Sequence, residues 1–471
     1  MEVEKSNIPH HRDFRTLLVY FFGFLLFIPF ACILLLQNSH IQQYISQKIT
    51  DHFARRTGLM IKFEKVQYTF FHQLEIKKLI IVDSLNDTLI FAPELIVDLQ
   101  AVFFRHHQLV FNRFELKQPR LHLSKDSSGQ FNWEKLFRST ASADTSATTG
   151  SKWNYKFRNI NIENADIAIT GVLDSTQLPA WYKTHLSHVV FRARNLLLGR
   201  HSVEVRINRF GFVPHNGFHL INMGVDLSFK QRQSFTISKF SLVTPESDIN
   251  IKQLSFDLTP PVQTDQMPIA GIINLSKINL SELGFFLPHW HGRRLVVKFN
   301  GEAKGTLRDL RIKNLFLSTG EKNFFKGSIH YTQLPDLNEP YLYLDVKEMQ
   351  ATITETQRII NVLGSDNTQL PEILKRLEYF GFKGNFTGFP TDFVAFGTLQ
   401  SPMGTLKLDI ALKPSSKNMI GYNGTLEAIQ LKIGELLGNS RLVGPTHLTL
   451  TAQGNIVRGR DVNGTITLNI L

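Results

Sequence analysis

From Met60 onward the apolar residues of this chain recur at every second position, in one short segment after another. Val203, Val205 and Ile207 alternate with Glu204, Arg206 and Asn208, and Leu342, Leu344 and Val346 alternate with Tyr343, Asp345 and Lys347. The same holds for Leu406, Leu408, Ile410 and Leu412 against Lys407, Asp409 and Lys413, and for Leu448, Leu450 and Ala452 against Thr449, Thr451 and Gln453. Successive side chains of an extended backbone point to opposite faces, so each segment presents one apolar face and one wetted face. That is the pattern of antiparallel strands. Strands of a parallel α/β sheet are covered on both faces and read as continuous apolar runs, so a doubly wound enzyme fold is disfavoured.

The N-terminal strands follow the same rule. Ile76, Leu79 and Ile81 lead into a turn over Asp83 to Thr88, and Leu89, Phe91, Leu95, Val97 and Leu99 continue beyond it. Helical spacing is confined to Phe131 to Phe137, Leu280 to Leu287, Thr354 to Leu363, Pro371 to Phe380 and Leu431 to Leu437. The expected fold is therefore mainly β: a repetitive, antiparallel-rich sheet punctuated by a few short helices, with an apolar face that a curled sheet leaves open as a groove and a sandwich covers.

One segment departs from this pattern. Leu17 to Leu36 reads LLVYFFGFLLFIPFACILLL, without a charge, and as a helix at about 1.5 Å per residue it spans about 30 Å, one hydrocarbon core. Its length and the lack of a small-x-small cleavage site point to an uncleaved transmembrane anchor rather than a signal peptide. Lys5, Arg12 and Arg15 precede it and Gln37 to Gln47 carries no Lys or Arg, which places the N-terminus in the cytoplasm and the rest of the chain, exported, on the other side of the membrane. Ile41, Tyr44, Ile45, Ile49 and Phe53 then mark an amphipathic helix closed by Gly58. Cys32, within the apolar run, is the single cysteine, so no disulfide forms within the chain and the exported fold rests on burial and β-ladders.

The resulting organisation is a cytoplasmic tail over 1–16, an anchor over 17–36 and a juxtamembrane helix over 37–58. An N-terminal β-module follows over 59–138, a polar linker over 139–151 (STASADTSATTGS from 139 on) and a repeated β-groove over 152–471. The net charge of +12 is scattered rather than gathered in one stripe, and for an exported chain anionic lipid headgroups are a more available partner than nucleic acid. The 38 Phe against 10 Tyr and 4 Trp supply rings without a polar handle, suited to a dry surface.

Sliding the chain along itself reveals a repeat. Gly271, Glu282, Leu283 and Gly301 correspond to Gly424, Glu435, Leu436 and Gly454 at a displacement of 153 residues, and Leu242-Val-Thr-Pro corresponds to Leu399-Gln-Ser-Pro at 157. Such an array buries its apolar face by stacking each unit on its neighbours.

Catalytic signatures are missing: no GxxxxGK[ST], GxGxxG, GxSxG or HExxH occurs. His10-His11 belongs to the cytoplasmic tail, His106-His107 on a strand puts its two side chains on opposite faces, and His289 and His291 around Trp290 lack the further ligands a metal requires. No enzyme activity, metal or cofactor is expected. What the pattern offers is the apolar strand face, which is either half of a sandwich core or an open trough. Residues placed to line a trough for acyl chains are Val203, Val205, Ile207, Leu342, Leu344, Val346, Leu406, Leu408, Ile410, Leu448 and Leu450.

The order of anchor, amphipathic helix, Thr57-Gly58, a strand to Val66, Leu74-Glu-Ile-Lys-Lys-Leu-Ile-Ile-Val-Asp83, Asp87-Thr-Leu89 and Glu94-Leu-Ile-Val-Asp98 resembles the N-terminus of AsmA-like proteins, most nearly those of the translocation and assembly module (TamB) type. Gly384-Asn-Phe-Thr-Gly388 with Phe393, Gly397-Thr-Leu-Gln-Ser401 with Gly404, and Tyr422-Asn-Gly424 before Glu435-Leu436 extend the similarity. The resemblance implies an inner-membrane-anchored periplasmic β-groove that moves phospholipid toward the outer membrane. Its alternative is a scaffold that assists an outer-membrane β-barrel protein. The chain stops in Thr465-Ile-Thr-Leu-Asn-Ile-Leu471, within an alternating strand, and is expected to be a fragment of a longer protein or a short relative.

Overall fold

The computed structural model describes residues 59–69, 72–82, 87–125, 131–132, 153–171, 184–214, 218–260, 265–333, 340–363, 369–370, 372–389, 392–416, 419–437, 444–457 and 462–470. Tyr44, Gln47, Lys48, Thr50, Asp51 and Ala54 are described ahead of these, all in helical conformation, within the expected juxtamembrane helix. The expected anchor and polar linker lie outside the described residues. Among the described residues, no helix is long and apolar enough to cross a membrane. The fold is mainly β, and the chain divides into two compact units, Met1–Leu173 and Asp174–Leu471.

The first unit contains β1 (Met60–Lys62), β2 (Lys65–Thr69), β3 (Gln73–Val82), β4 (Thr88–Phe103), β5 (Gln108–Lys117), β6 (Arg120–Lys125) and β7 (Asn154–Gly171). Antiparallel ladders join β3 to β4 and β4 to β5, and their apolar partners form a core of Leu59, Leu79, Ile81, Leu89, Ala92 and Leu95. β7 runs parallel to β5 and β6. Parallel neighbours need a crossover rather than a hairpin, and through these ladders β7 lies within the first unit. Of the helical spacing over 131–137, Phe131 forms an isolated bridge and Asn132 a turn, and the remainder lies outside the described residues.

The second unit is a serial meander: β8 (Thr184–Leu198), β9 (Ser202–Pro214), β10 (Leu220–Lys230), β11 (Ser234–Val243), β12 (Asp248–Asp257), β13 (Ile269–Asn279), β14 (Val296–Gly305), β15 (Asp309–Thr319), β16 (Asn323–Thr332), β17 (Tyr341–Thr352), β18 (Tyr379–Phe389), β19 (Asp392–Ser401), β20 (Gly404–Ser416), β21 (Met419–Lys432), β22 (Pro445–Val457) and β23 (Val462–Ile470). Every consecutive pair is antiparallel. At about 4.8 Å per strand the ladder runs about 70 Å.

Helical inserts punctuate it every four strands. A 3₁₀ segment (Leu280–Phe285) follows β13, α1 (Ile353–Leu363) and α2 (Glu372–Lys375) follow β17, and α3 (Ile433–Leu437) follows β21. The residue repeat is thereby explained. Gly271 and Gly424 lie on β13 and β21, Glu282 and Glu435 on the inserts, Gly301 and Gly454 on β14 and β22, and the Thr-Pro and Ser-Pro turns close β11–β12 and β19–β20. Each pair is eight strands apart, two insert periods.

Aromatic rings cover glycine pairs in two places. Gly384 faces Gly397 with the Phe382 ring over both, and Gly454 faces Gly464 beneath the Tyr422 hydroxyl. A Cβ on Gly384 would sit 2.2 Å from the Phe396 carbonyl oxygen and 2.6 Å from Gly397 Cα, so the backbones approach there as only glycine permits.

Candidate functional site

Direct cross-strand partners share a face, so the register can be followed across the sheet. One row runs Val205, Leu227, Ile237, Leu254, Gly271, Ala303, Ile312 and Ile329 from β9 to β16. It continues as Leu344, Phe386, Ala395, Ile410, Gly424, Ala452 and Ile466 to β23. Each position is aliphatic, aromatic or glycine. The adjacent row begins Leu198, Val203, Phe229, Phe235, Phe256 and Ile269 and reaches Tyr331, Leu342, Phe393, Leu412 and Tyr422.

All eleven residues expected on a trough fall on this face. Val205, Leu344 and Ile410 share the first row, and Val203 and Leu342 share the second. Val346 leads through Gly384 and Gly397 to Leu408, Leu426 and Leu450, while Leu406 meets Leu448 through Ala428. Ile207 pairs with Ala193 and Val225. Sequence reasoning missed Phe229, Phe235, Phe256, Phe386 and Phe393, although an aromatic at an alternating position was the available signal.

Side chains on the inner faces of a sandwich interdigitate with a second sheet and are lost from solvent. Here most of the row residues are half-buried, as lateral neighbours alone would leave them. Val203 and Phe229 are 37% and 38% exposed, and Ile466 on β23 is 64% exposed. Full burial concentrates on β8–β10 (Leu186, Val189, Phe212, Leu220) and beside the inserts (Phe285, Leu295, Ile353, Leu431). The inserts therefore cover one end of the strands; Val346 and Leu315, which share a row through Gly327, are buried (6% and 9%), while most of the row from Val205 to Ile466 stays half-buried.

The opposite face is polar and laced with cross-strand ion pairs: Arg206 with Asp226 (2.8 Å), Lys326 with Glu348 (2.7 Å) and Lys407 with Glu427 (3.2 Å). The Arg206 guanidinium is held above its ordinary range by its hydrogen bond to Asp226. A concavity of about 710 Å³ is lined by the polar side chains Gln253, Ser255, Glu302, Lys304 and Arg311 together with Gly271 and Ala303 of the first row. Among the described residues no group of three metal-ligating side chains is brought together; His289 stacks edge-on against Trp290, and His106 and His107 are exposed.

Comparison with family models gave no match, and neither the curated proteins nor the solved structures gave one. The geometry of the sheet therefore carries the functional reading.

Proposed function

We propose that the apolar face of β8–β23 carries phospholipid acyl chains, in a protein anchored in the inner membrane by Leu17–Leu36 with its bulk in the periplasm. In this reading it moves phospholipid toward the outer membrane, as AsmA-like proteins of the TamB type do, and performs no covalent chemistry. The observation that carries the reading is the unbroken row from Val205 to Ile466, half-buried along its middle. An acyl chain of about 16 carbons gains about 0.8 kcal/mol per buried CH₂, so about 12 kcal/mol opposes its passage through water. A continuous apolar surface lowers that barrier at every step, whereas a large bare apolar face without a ligand would promote aggregation.

The test is the phospholipid that accompanies the full chain purified in lipid-free detergent. Leu408→Glu, flanked on its row by Gly397 and Leu426, should reduce it, and Asp409→Lys on the polar face should not. Unchanged lipid in both Leu408→Glu and Ile410→Glu would sink the reading. Crosslinks from β23 into a barrel protein, with no lipid bound, would favour the scaffold alternative.

A further inference from the structure

We infer that the knuckle between β13 and β14 rests in the headgroup layer of an anionic bilayer. Two consecutive large apolar residues, Phe286 and Leu287, are 44% and 51% exposed there. Their exposure is built in rather than loose. Gly284 abuts the His291 backbone so closely that a Cβ would meet His291 Cα at 2.7 Å, and the neighbouring Phe285 is buried, stacked on Phe218 at 5.5 Å. Backbone bonds from Leu287 N to Leu283 O (2.7 Å) and Trp290 N to Leu287 O (3.0 Å) hold the turn outward. Phe286 sets its ring edge-on to Phe218 and Phe285 (5.1 Å each), so it is held in place while nearly half of it, with Leu287 beside it, stays open to an apolar contact.

Charge identifies the occupant. From Leu283 to Leu295 the sequence LGFFLPHWHGRRL holds two arginines, two histidines and no acid. Arg293 donates to the Val362 carbonyl of α1, whose next residue, Leu363, is itself 51% exposed, so the second insert extends the apolar surface. Exposed Phe and Leu beside a Trp and a stretch that carries two arginines and no acid after Glu282 is the composition of a membrane-interface contact: rings and aliphatics at the acyl boundary, guanidinium groups at phosphate depth. The inference goes beyond acyl carriage on the strand face, because these residues lie on an insert rather than on the apolar rows.

The test uses the full chain with Cys32→Ser and Leu287→Cys, labelled with an environment-sensitive fluorophore and reconstituted in vesicles of phosphatidylcholine with or without phosphatidylglycerol. A second label at Thr425→Cys, on the polar face of β21, serves as control. The expected result is a blue shift at 287, quenched by bromine-labelled acyl chains and stronger with phosphatidylglycerol, with loss of both effects in Arg294→Glu. Two results would overturn the inference: emission at 287 indistinguishable from that at 425, or a blue shift that brominated lipid does not quench, which would place a protein surface there instead.

Discussion

Val205 on β9 and Ile466 on β23 belong to one row of direct cross-strand partners, although the sequence separates them by more than half of the chain. No polar side chain interrupts the row. Keeping this continuity requires the register to be corrected wherever strands bend, and the corrections are local and testable.

Gly384 and Gly397 bring two backbones together within the apolar rows, with no room for a Cβ on either. Gly384→Val should destabilise the second unit by about 1–3 kcal/mol, the usual range for forcing bulk into a filled site. Urea denaturation of the full chain should show the loss, together with faster amide exchange in β18 and β19.

Glu282 on the 3₁₀ insert accepts hydrogen bonds from Thr244 Oγ1 (2.7 Å) and Ser247 Oγ, both in the β11–β12 turn and each 4% exposed. Glu282→Ala removes the charged acceptor of both hydroxyls, which keep only weaker bonds within the turn and from Asn279 N, and should cost about 1–3 kcal/mol. Exchange protection should fall in residues 244–247 and 280–285 together, because one carboxylate ties the two segments. Protection lost in only one of them would show that the tie is not cooperative.

Lys117 donates to Glu94 across the β4–β5 ladder at 2.7 Å, and this bond holds the Glu94 carboxyl below the ordinary carboxylate range. A carboxylate depressed in the folded state stabilises at neutral pH, and the contribution is lost as pH falls through that lowered range. The pair is partly exposed, so its worth is about 0.5 kcal/mol. In Glu94→Gln, amide exchange of β4 and β5 should vary less between neutral and mildly acidic pH than in the parent. An identical pH dependence would contradict the assignment.

Much of this fold was legible because alternation survives packing: the strand faces, the inserts after β13, β17 and β21, and the eight-strand repeat all follow from residue spacing. Phase jumps were harder to read. Apolar residues step from Ile312 to Leu315 in β15 and from Ala428 to Leu431 in β21, which breaks the period of two. The register shifts there at Asn314 and Gln430, both in left-handed conformation (φ 50° and 52°), so each is a bulge that absorbs one residue and returns the apolar side chains to the same face. Lys78 in β3 and Lys239 in β11 lie between Ile76 and Leu79 and between Ile237 and Phe240 in the same way. The parallel placement of β7 was not legible, because a crossover leaves no mark on the alternation of the strands it joins. Nor was the half-burial of the rows, since a sandwich and an open face write the same pattern.

A photo-reactive amino acid placed singly at each position from 405 to 410 along β20, in the membrane-embedded full chain, tests the central claim most directly. Phospholipid adducts at Leu406, Leu408 and Ile410, and none at Thr405, Lys407 and Asp409, are the result predicted by an apolar face that carries acyl chains. Adducts without that two-residue period, or no adducts at any of the six, would contradict it.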